Sequence, residues 1–125
     1  MILLDTHAVL WFVGGSPELS AAARNAIENE ADVRVSVASL WEIAIKLSTG
    51  KLSITLGFDG LIVDLTNNAI AILPLEVPHL RHILTLPPHH RDPFDRVIIA
   101  QALCEGVTLV TRDPLFLPYG VSVLW

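Results

Sequence analysis

The chain has little cysteine, no long apolar run and few basic residues, and each shortage excludes a class of protein. A single cysteine among 125 residues, Cys104, rules out a scaffold built on disulfides, and a chain of this length buries enough surface to fold without them. No apolar run approaches the roughly 18 residues that a membrane-spanning helix needs. The first residues lack the charged leader and cleavage site of exported proteins. We therefore expect a single domain over residues 1–125, in the cytoplasm and without a membrane partner.

The balance of charge is unfavourable for a protein that binds nucleic acid. Eight basic residues against thirteen acidic ones give a formal net charge of −5, whereas phosphate-binding surfaces are normally basic. One explanation is that several acids form a site for divalent cations, which would reverse the local field met by a phosphate. Arg91, Arg96 and Arg112 lie close in sequence to acids. They form either a substrate-binding rim around an acidic centre or ordinary surface ion pairs.

Short β-branched apolar runs alternate with longer helical segments, a pattern typical of α/β proteins. The pattern predicts strands at 1–4, 33–37, 71–73, 107–111 and 121–124, and helices at 7–13, 20–30, 39–47, 58–68, 77–84 and 92–105. Strands joined by helical crossovers run parallel, with right-handed connections. We therefore expect a central, mainly parallel sheet of four to five strands.

Four acids are predicted to meet at one edge of this sheet. Asp5 directly follows the first strand, and Asp113 follows the strand at 107–111. Glu42 and Asp95 fall in the first turns of two predicted helices that begin at the same edge. Ligand sites of open parallel sheets gather where the strands end. Converging carboxylates would repel one another, so a bound divalent cation is the economical explanation.

Two of the four acids also have a plain structural explanation. The segment from Ser39 to Glu42 fits a capping box, in which the Glu42 side chain would bond back to the Ser39 amide. The segment from Asp92 to Asp95 has the same form, with Asp92 at the cap and Asp95 favoured by the helix dipole. Taken singly, each of these acids is more often a cap than a ligand.

The other two acids have no such explanation in the sequence. An acid that directly follows a buried parallel strand, as Asp5 and Asp113 do, is half buried at a cost in free energy unless something cationic compensates. The cap of the first helix is predicted to be Thr6, so capping does not explain the neighbouring Asp5. Asp5 and Asp113 therefore carry most of the argument for a site.

The type of ligand indicates the type of cation. Carboxylate oxygens without an organised set of cysteines and histidines favour Mg²⁺, or Mn²⁺, over zinc. No carboxylate is placed in sequence with His79, His82, His89 or His90 as a zinc triad would require. We expect these histidines to lie on the surface or to contact substrate.

Four segments together resemble the PIN-domain ribonucleases, in particular the VapC toxins of toxin–antitoxin systems. They are MILLDTH at 1–7, SLWE at 39–42, HRDPFDR at 90–96 and LVTRD at 109–113. The resemblance spans the whole chain and implies a PIN-like three-layer α/β/α sandwich. The acidic quartet of the family, which is both catalytic and metal-binding, falls on Asp5, Glu42, Asp95 and Asp113.

The resemblance also suggests supporting residues. The family's hydroxyl near the last acid matches Thr111, and Thr6 takes the polar position beside the first. The run at 96–102 looks like the family's continuation after its third acid, which places the core role on Asp95 and leaves Asp92 as a cap or an outer acid.

The implied activity is hydrolysis of RNA by metal-activated water, which leaves 5′-phosphate and 3′-hydroxyl ends. The resemblance further implies a homodimer and a cognate antitoxin that inserts a segment into or beside the acidic site. Trp11 and the helix at 39–47 are candidates for such contacts, although core packing is the more common fate of a tryptophan such as Trp11 or Trp41 taken singly.

Two other functions fit parts of the pattern. A phosphorelay receiver domain has a similar length, α/β order and acidic Mg²⁺ pocket. It needs paired acids after the first strand and a lysine after the last strand of the site, whereas here Asp5 stands alone and Arg112 and Asp113 occupy the late position. A catalytically idle PIN scaffold used only for binding gives no reason to keep four acids that repel one another.

Overall fold

The computed structural model describes all 125 residues and contains one sheet of five parallel strands. The strands are β1 (Ile2–Leu4), β2 (Val33–Ser36), β3 (Ile70–Leu73), β4 (Thr108–Val110) and β5 (Val123–Leu124), in the spatial order β3-β2-β1-β4-β5. The predicted parallel α/β architecture is confirmed. The chain winds outward from β1 to β3 and then returns to the other side of β1 at β4. The carboxyl ends of β1 and β4 therefore border the crevice at which parallel sheets commonly bind ligands.

All six predicted helices are present. They are α1 (Thr6–Val13), α2 (Ala21–Asn29), α3 (Val37–Ser48), α4 (Gly57–Asn67), α5 (Val77–Thr85) and α6 (Pro93–Glu105). Gly106 ends α6 with a positive φ of 66°, the left-handed conformation that suits glycine. A short 3₁₀ helix at Pro114–Tyr119 was not predicted. No helix combines the length and the apolar character needed to cross a membrane.

The alternation of side chains along β1 explains the layers. Ile2 and Leu4 point into a cluster formed with residues of α1 to α4, whereas Leu3 packs on the other side with Ile98 and Phe116. Successive strand residues face opposite sides, so a strand that is buried throughout needs helices on both. The result is the predicted three-layer α/β/α arrangement.

The helix caps differ from those predicted. Asp5, and not Thr6, caps α1, because its Oδ1 accepts the amide of Ala8 at 2.8 Å. Asp113, for which the sequence offered no structural role, caps the 3₁₀ helix by accepting the amide of Leu115 at 2.9 Å. Both acids therefore gain local hydrogen bonds at the end of a strand.

The capping box predicted at Ser39 is wrong. Helix α3 begins directly after β2, and its cap is Ser36, which accepts the amide of Ala38 at 3.0 Å. Glu42 consequently lies in the second turn of α3 and is free of any capping role. The prediction for Asp92 is confirmed, because its side chain accepts the amides of Phe94 and Asp95 at 2.8 and 3.1 Å.

Candidate active site

Asp5 is fixed at the centre of the crevice by hydrogen bonds to both carboxylate oxygens. Oδ1 accepts the Ala8 amide, and Oδ2 accepts the hydroxyl of Thr111 at 2.6 Å. The pKa of Asp5 is raised, and burial is the largest cause. The two hydrogen bonds oppose the shift, whereas the nearby carboxylate of Asp113 adds to it. Thr111 also accepts the Asp113 amide at 3.1 Å, so its hydroxyl connects the ends of β1 and β4.

Glu42 reaches the same crevice from α3. Its Oε1 accepts the hydroxyl of Thr6 at 2.7 Å, and its Oε2 pairs with Lys46 at 2.9 Å, one turn further along the helix. The Thr6 hydroxyl lies 3.0 Å from that of Ser39 as well. The buried Thr6 therefore orients Glu42 instead of capping α1.

Asp113 is held by donors on both oxygens. Oδ1 accepts the Leu115 amide, and Oδ2 lies 2.9 Å from Nε2 of His90. The same histidine nitrogen lies 3.2 Å from Oδ2 of Asp95. His90 therefore connects acids that come from two different elements.

Asp95 is the exception in the quartet, because its carboxylate accepts no well-aligned hydrogen bond from the protein. Each of the other six carboxylate oxygens has a donor. The pKa of Asp95 is raised to about 7. Burial is the largest cause, the negative charges of Asp92, Glu42 and Asp5 add to it, and His90 opposes it. His90, Asp95 and Asp113 offer atoms that all lie within 4.8 Å of one another, so Asp95 lies beside Asp113 at the mouth of the crevice.

Four carboxylates therefore meet at one edge of the sheet, as the sequence predicted, and they fit a hard divalent cation. All are oxygen donors of the kind that Mg²⁺ prefers. Asp95 supplies a largely buried carboxylate that accepts no well-aligned hydrogen bond, a costly state that a cation would relieve.

The sequence missed His90. It is buried, so the expectation that it lies on the surface is wrong. His79 is buried too, with Nε2 2.8 Å from Glu105. The hydrogen bonds of His90 and His79 reach acids 23 and 26 residues away, which local spacing cannot indicate, and only the approach of His90 to Asp95 lies within one segment.

The three arginines take different positions. Arg112 lies over the ring of Trp11 at 4.5 Å, pairs with Glu18 at 2.8 Å and lines a cavity of about 300 Å³ together with Asp5 and Asp113. Arg91 is exposed.

The third arginine, Arg96, directs its guanidinium to the protein's own backbone. It donates to the carbonyl oxygens of Pro87 at 2.9 Å and Leu86 at 3.3 Å. Its donors thus stabilise the loop before α6. None of the three arginines forms an ion pair with the acids that are near it in sequence.

A larger groove of about 560 Å³ begins beside the acids. It shares Thr6 and Lys46 with the site and continues between α1 and the segment after α3, where Leu10, Trp11 and Leu56 line it. Trp41, expected to pack in the core, is 62% exposed and meets Phe94 edge-to-face at 5.2 Å.

The parallel sheet, with acids at the ends of β1 and β4, makes this chain an α/β protein with an acidic crevice. Within that class, the chain belongs to the PIN domain family, whose model matches residues 2–119. The receiver-domain alternative is thereby set aside.

Relatives in sequence and structure agree with this family. The chain is 28% identical over 114 residues to Ribonuclease VapC22 of Mycobacterium tuberculosis, covering 90% of this chain and 86% of that protein. Its fold is similar to VapBC2 from Rickettsia felis, solved bound to a DNA fragment from its promoter (TM-score 0.73, 17% identity, 99% and 98% of the two chains). It is also similar to the sarcin-ricin loop cleaving toxin VapC20 of Mycobacterium tuberculosis (TM-score 0.64, 14% identity, 97% and 96%).

Proposed function

We propose that this chain is a Mg²⁺-dependent endoribonuclease, the toxin of a toxin–antitoxin system, with Asp5, Glu42, Asp95 and Asp113 as its catalytic and metal-binding residues. The observation that carries the proposal is the convergence of three donor-held carboxylates with one, Asp95, that accepts no aligned hydrogen bond. The ribonuclease activity of the sequence relative supports it. Mn²⁺ would suit the same oxygen donors.

The four acids would hold the cation, and the surrounding residues would hold the acids. A bound Mg²⁺ would activate water and stabilise the charge that develops on the phosphate. Thr111 and Thr6 fix the rotamers of Asp5 and Glu42 through the bonds at 2.6 and 2.7 Å. Oδ1 of Asp92 accepts the Asp95 amide at 3.1 Å and thereby holds the first turn of α6 in place.

The cleft around the acids has cations that could meet RNA phosphates. Arg112 lies on the same cavity wall as Asp5, and Lys46 lies beside Glu42 at the start of the groove. Arg91 is exposed and available as well. Together with a bound divalent cation, these charges would offset the negative field that the net charge of −5 implies.

The test is cleavage of RNA by the purified chain, followed by analysis of the new ends. We expect cleavage with Mg²⁺ that leaves 5′-phosphate and 3′-hydroxyl ends, stops with EDTA and is lost in Asp5→Asn and Asp113→Asn. Asp59→Asn, which neutralises an exposed acid on α4, is the matched control and should cleave like the wild type. Cleavage that survives EDTA, or full activity of both site variants, would reject the proposal.

We further propose that an antitoxin binds the groove beside the acids. The groove combines the apolar side chains of Leu10, Trp11 and Leu56 with direct access to Glu42 through Thr6 and Lys46. An inserted segment with an apolar face and a basic end would match this distribution. Solved complexes of VapBC proteins with this fold support such a partner.

The groove can be separated from the chemistry by mutation. Leu56 is 72% exposed and is not among the residues around the acids, so Leu56→Asp should leave RNA cleavage intact. Co-expression with the antitoxin should neutralise the wild type but not this variant. Equal neutralisation of both proteins would move the antitoxin to another surface.

We also expect a homodimer, since large apolar side chains are exposed away from the groove. Trp41 is 62% exposed and Leu84, at the end of α5, is 85% exposed. Light scattering on the purified chain tests the expectation, and a monomer at micromolar concentration would contradict it.

A further inference from the structure

His90 lies between two acids of the proposed metal site and is held there by contacts on every side. It comes at the end of the loop between α5 and α6, and its side chain is 7% exposed. Nε2 lies 2.9 Å from Oδ2 of Asp113 and 3.2 Å from Oδ2 of Asp95. A buried polar ring between two carboxylates is costly unless its bonds are specific.

The hydrogen bond on the other ring nitrogen determines which nitrogen carries the proton. Nδ1 lies 3.2 Å from the amide nitrogen of Asp92, which can only donate, so Nδ1 accepts. In the neutral ring the hydrogen is then on Nε2, which donates to Asp113. A nitrogen that carries a hydrogen has no lone pair for a cation.

The loop that carries His90 is anchored independently of the acids. The His90 amide donates to the hydroxyl of Tyr119 at 2.7 Å, and that hydroxyl donates to the carbonyl of Pro87 at 2.7 Å. Arg96 donates to the same carbonyl at 2.9 Å. The ring itself packs edge-on against Phe116, with centroids 5.4 Å apart. The position of Nε2 is therefore set before any cation binds.

We propose that His90 is a positioning residue of the metal site, which uses its Nε2–H to hold Asp113 at a fixed place next to Asp95, and is not itself a ligand. The inference rests on the proposed function, since it assigns His90 a role toward the same cation. His90 joins α6 to the end of β4, so that two acids on separate elements approach the cation as one preformed unit. Such outer partners of ligating carboxylates typically change metal affinity by about 10- to 100-fold when removed.

A ligand role for His90 is the competing explanation. His90, Asp95 and Asp113 offer atoms within 4.8 Å of one another, close enough for all three to hold one ion. That arrangement would require Nε2 to lose its hydrogen and Nδ1 to take one, which would break the bond from the Asp92 amide. The two roles therefore predict different effects of substitution at His90 and different tautomers of its ring.

The test compares Mg²⁺ affinity in the full chain, measured by titration calorimetry, for His90→Gln and His90→Leu. The glutamine amide keeps an N–H donor at similar reach, and leucine removes it. We expect His90→Leu to weaken Mg²⁺ binding by about tenfold or more and His90→Gln to stay within about threefold of the wild type. His82→Leu, on α5 and without a side-chain hydrogen bond, is the matched control and should bind like the wild type.

Each outcome decides a specific point. Wild-type affinity in His90→Leu, or an equal loss in folded His90→Leu and His90→Gln, would overturn the inference. A wild type that binds no Mg²⁺ would instead overturn the proposed function.

A second measurement does not depend on variants that fold. Nitrogen-15 NMR of the histidine rings in the wild type should show His90 with hydrogen on Nε2 and none on Nδ1, both without and with Mg²⁺. Loss of the Nε2 hydrogen on addition of Mg²⁺, or hydrogen on Nδ1 of the neutral ring, would refute the positioning role.

Discussion

Replacing Asp95 by asparagine should stabilise the metal-free protein while removing its response to Mg²⁺. The Asp95 carboxylate is largely buried, accepts no aligned hydrogen bond and lies near the charges of Asp92, Glu42 and Asp5. Asparagine has nearly the same shape and no charge. The variant therefore removes the repulsion and retains the packing.

The size of the effect follows from the pKa of Asp95, which is about 7 in the folded protein against about 4 in an unfolded chain. The folded state binds this proton more tightly, so its stability falls as the pH rises from about 4 to 7, and the full penalty is present above pH 7. Three units correspond to a ceiling of about 4 kcal/mol at 1.36 kcal/mol per unit. Because the side chain is 22% exposed, water screens part of this penalty, and we expect about 2 kcal/mol at pH 8.

The assay is urea unfolding at pH 8 and pH 5, in EDTA and in Mg²⁺. In EDTA at pH 8, Asp95→Asn should be more stable than the wild type, and the gain should shrink to roughly a third at pH 5, where folded Asp95 is protonated. Mg²⁺ should then stabilise the wild type by mass action and the variant far less.

Asp59→Asn is the control for net charge, since Asp59 is exposed and makes no side-chain hydrogen bond. It should change stability by only a few tenths of a kcal/mol and leave the Mg²⁺ response intact. An Asp95→Asn protein that is less stable than the wild type in EDTA at pH 8 would refute the reasoning, because the carboxylate would then be satisfied without a cation.

Three further predictions concern the groups in and around the quartet. Mg²⁺ affinity should rise steeply between pH 5.5 and 7.5, because the ion must displace the proton that Asp95 retains through its raised pKa. Calorimetry in buffers of different ionisation enthalpy should detect the released proton, and an affinity independent of pH would contradict this prediction. Thr111→Val removes the 2.6 Å donor to buried Asp5 and should weaken Mg²⁺ binding about tenfold, whereas Thr111→Ser should restore it; an equal loss in both would point to packing. Lys46→Gln removes a cation 2.9 Å from Glu42 and should tighten Mg²⁺ binding a few-fold, and weaker binding by titration would show that Lys46 is needed to orient Glu42.

Much of the fold was predictable because local chemistry and the global topology agree. Short apolar runs became the five strands, and Gly106 and Pro93 mark the ends of α6 as their backbone preferences require. The parallel order of the strands then brought Asp5 and Asp113 to one edge without any knowledge of side-chain contacts.

The prediction of the α3 cap failed because two serines compete within one turn. Ser36 and Ser39 both precede a helical pattern, and only the end of β2, fixed by its pairing with β3, decides that Ser36 is the cap. The three-residue difference moves Glu42 from the first turn to the second, where Thr6 can reach it. His90 was missed for a related reason, since its contact with Asp113 exists only once β4 lies beside β1.

These corrections alter which acid best indicates a metal site. The sequence offers Asp5 and Asp113 no structural role, yet both cap helices and would lose local hydrogen bonds if replaced. Asp95 is by sequence an ordinary acid of a first helical turn, yet neither of its oxygens accepts an aligned hydrogen bond from the protein. The helix dipole alone, at about 0.3–1 kcal/mol, is too weak to offset the burial and repulsion that raise the pKa of Asp95 to about 7. A proton or a bound cation must supply the compensation, so Asp95 is the residue at which the proposed site and ordinary fold stability make opposite predictions.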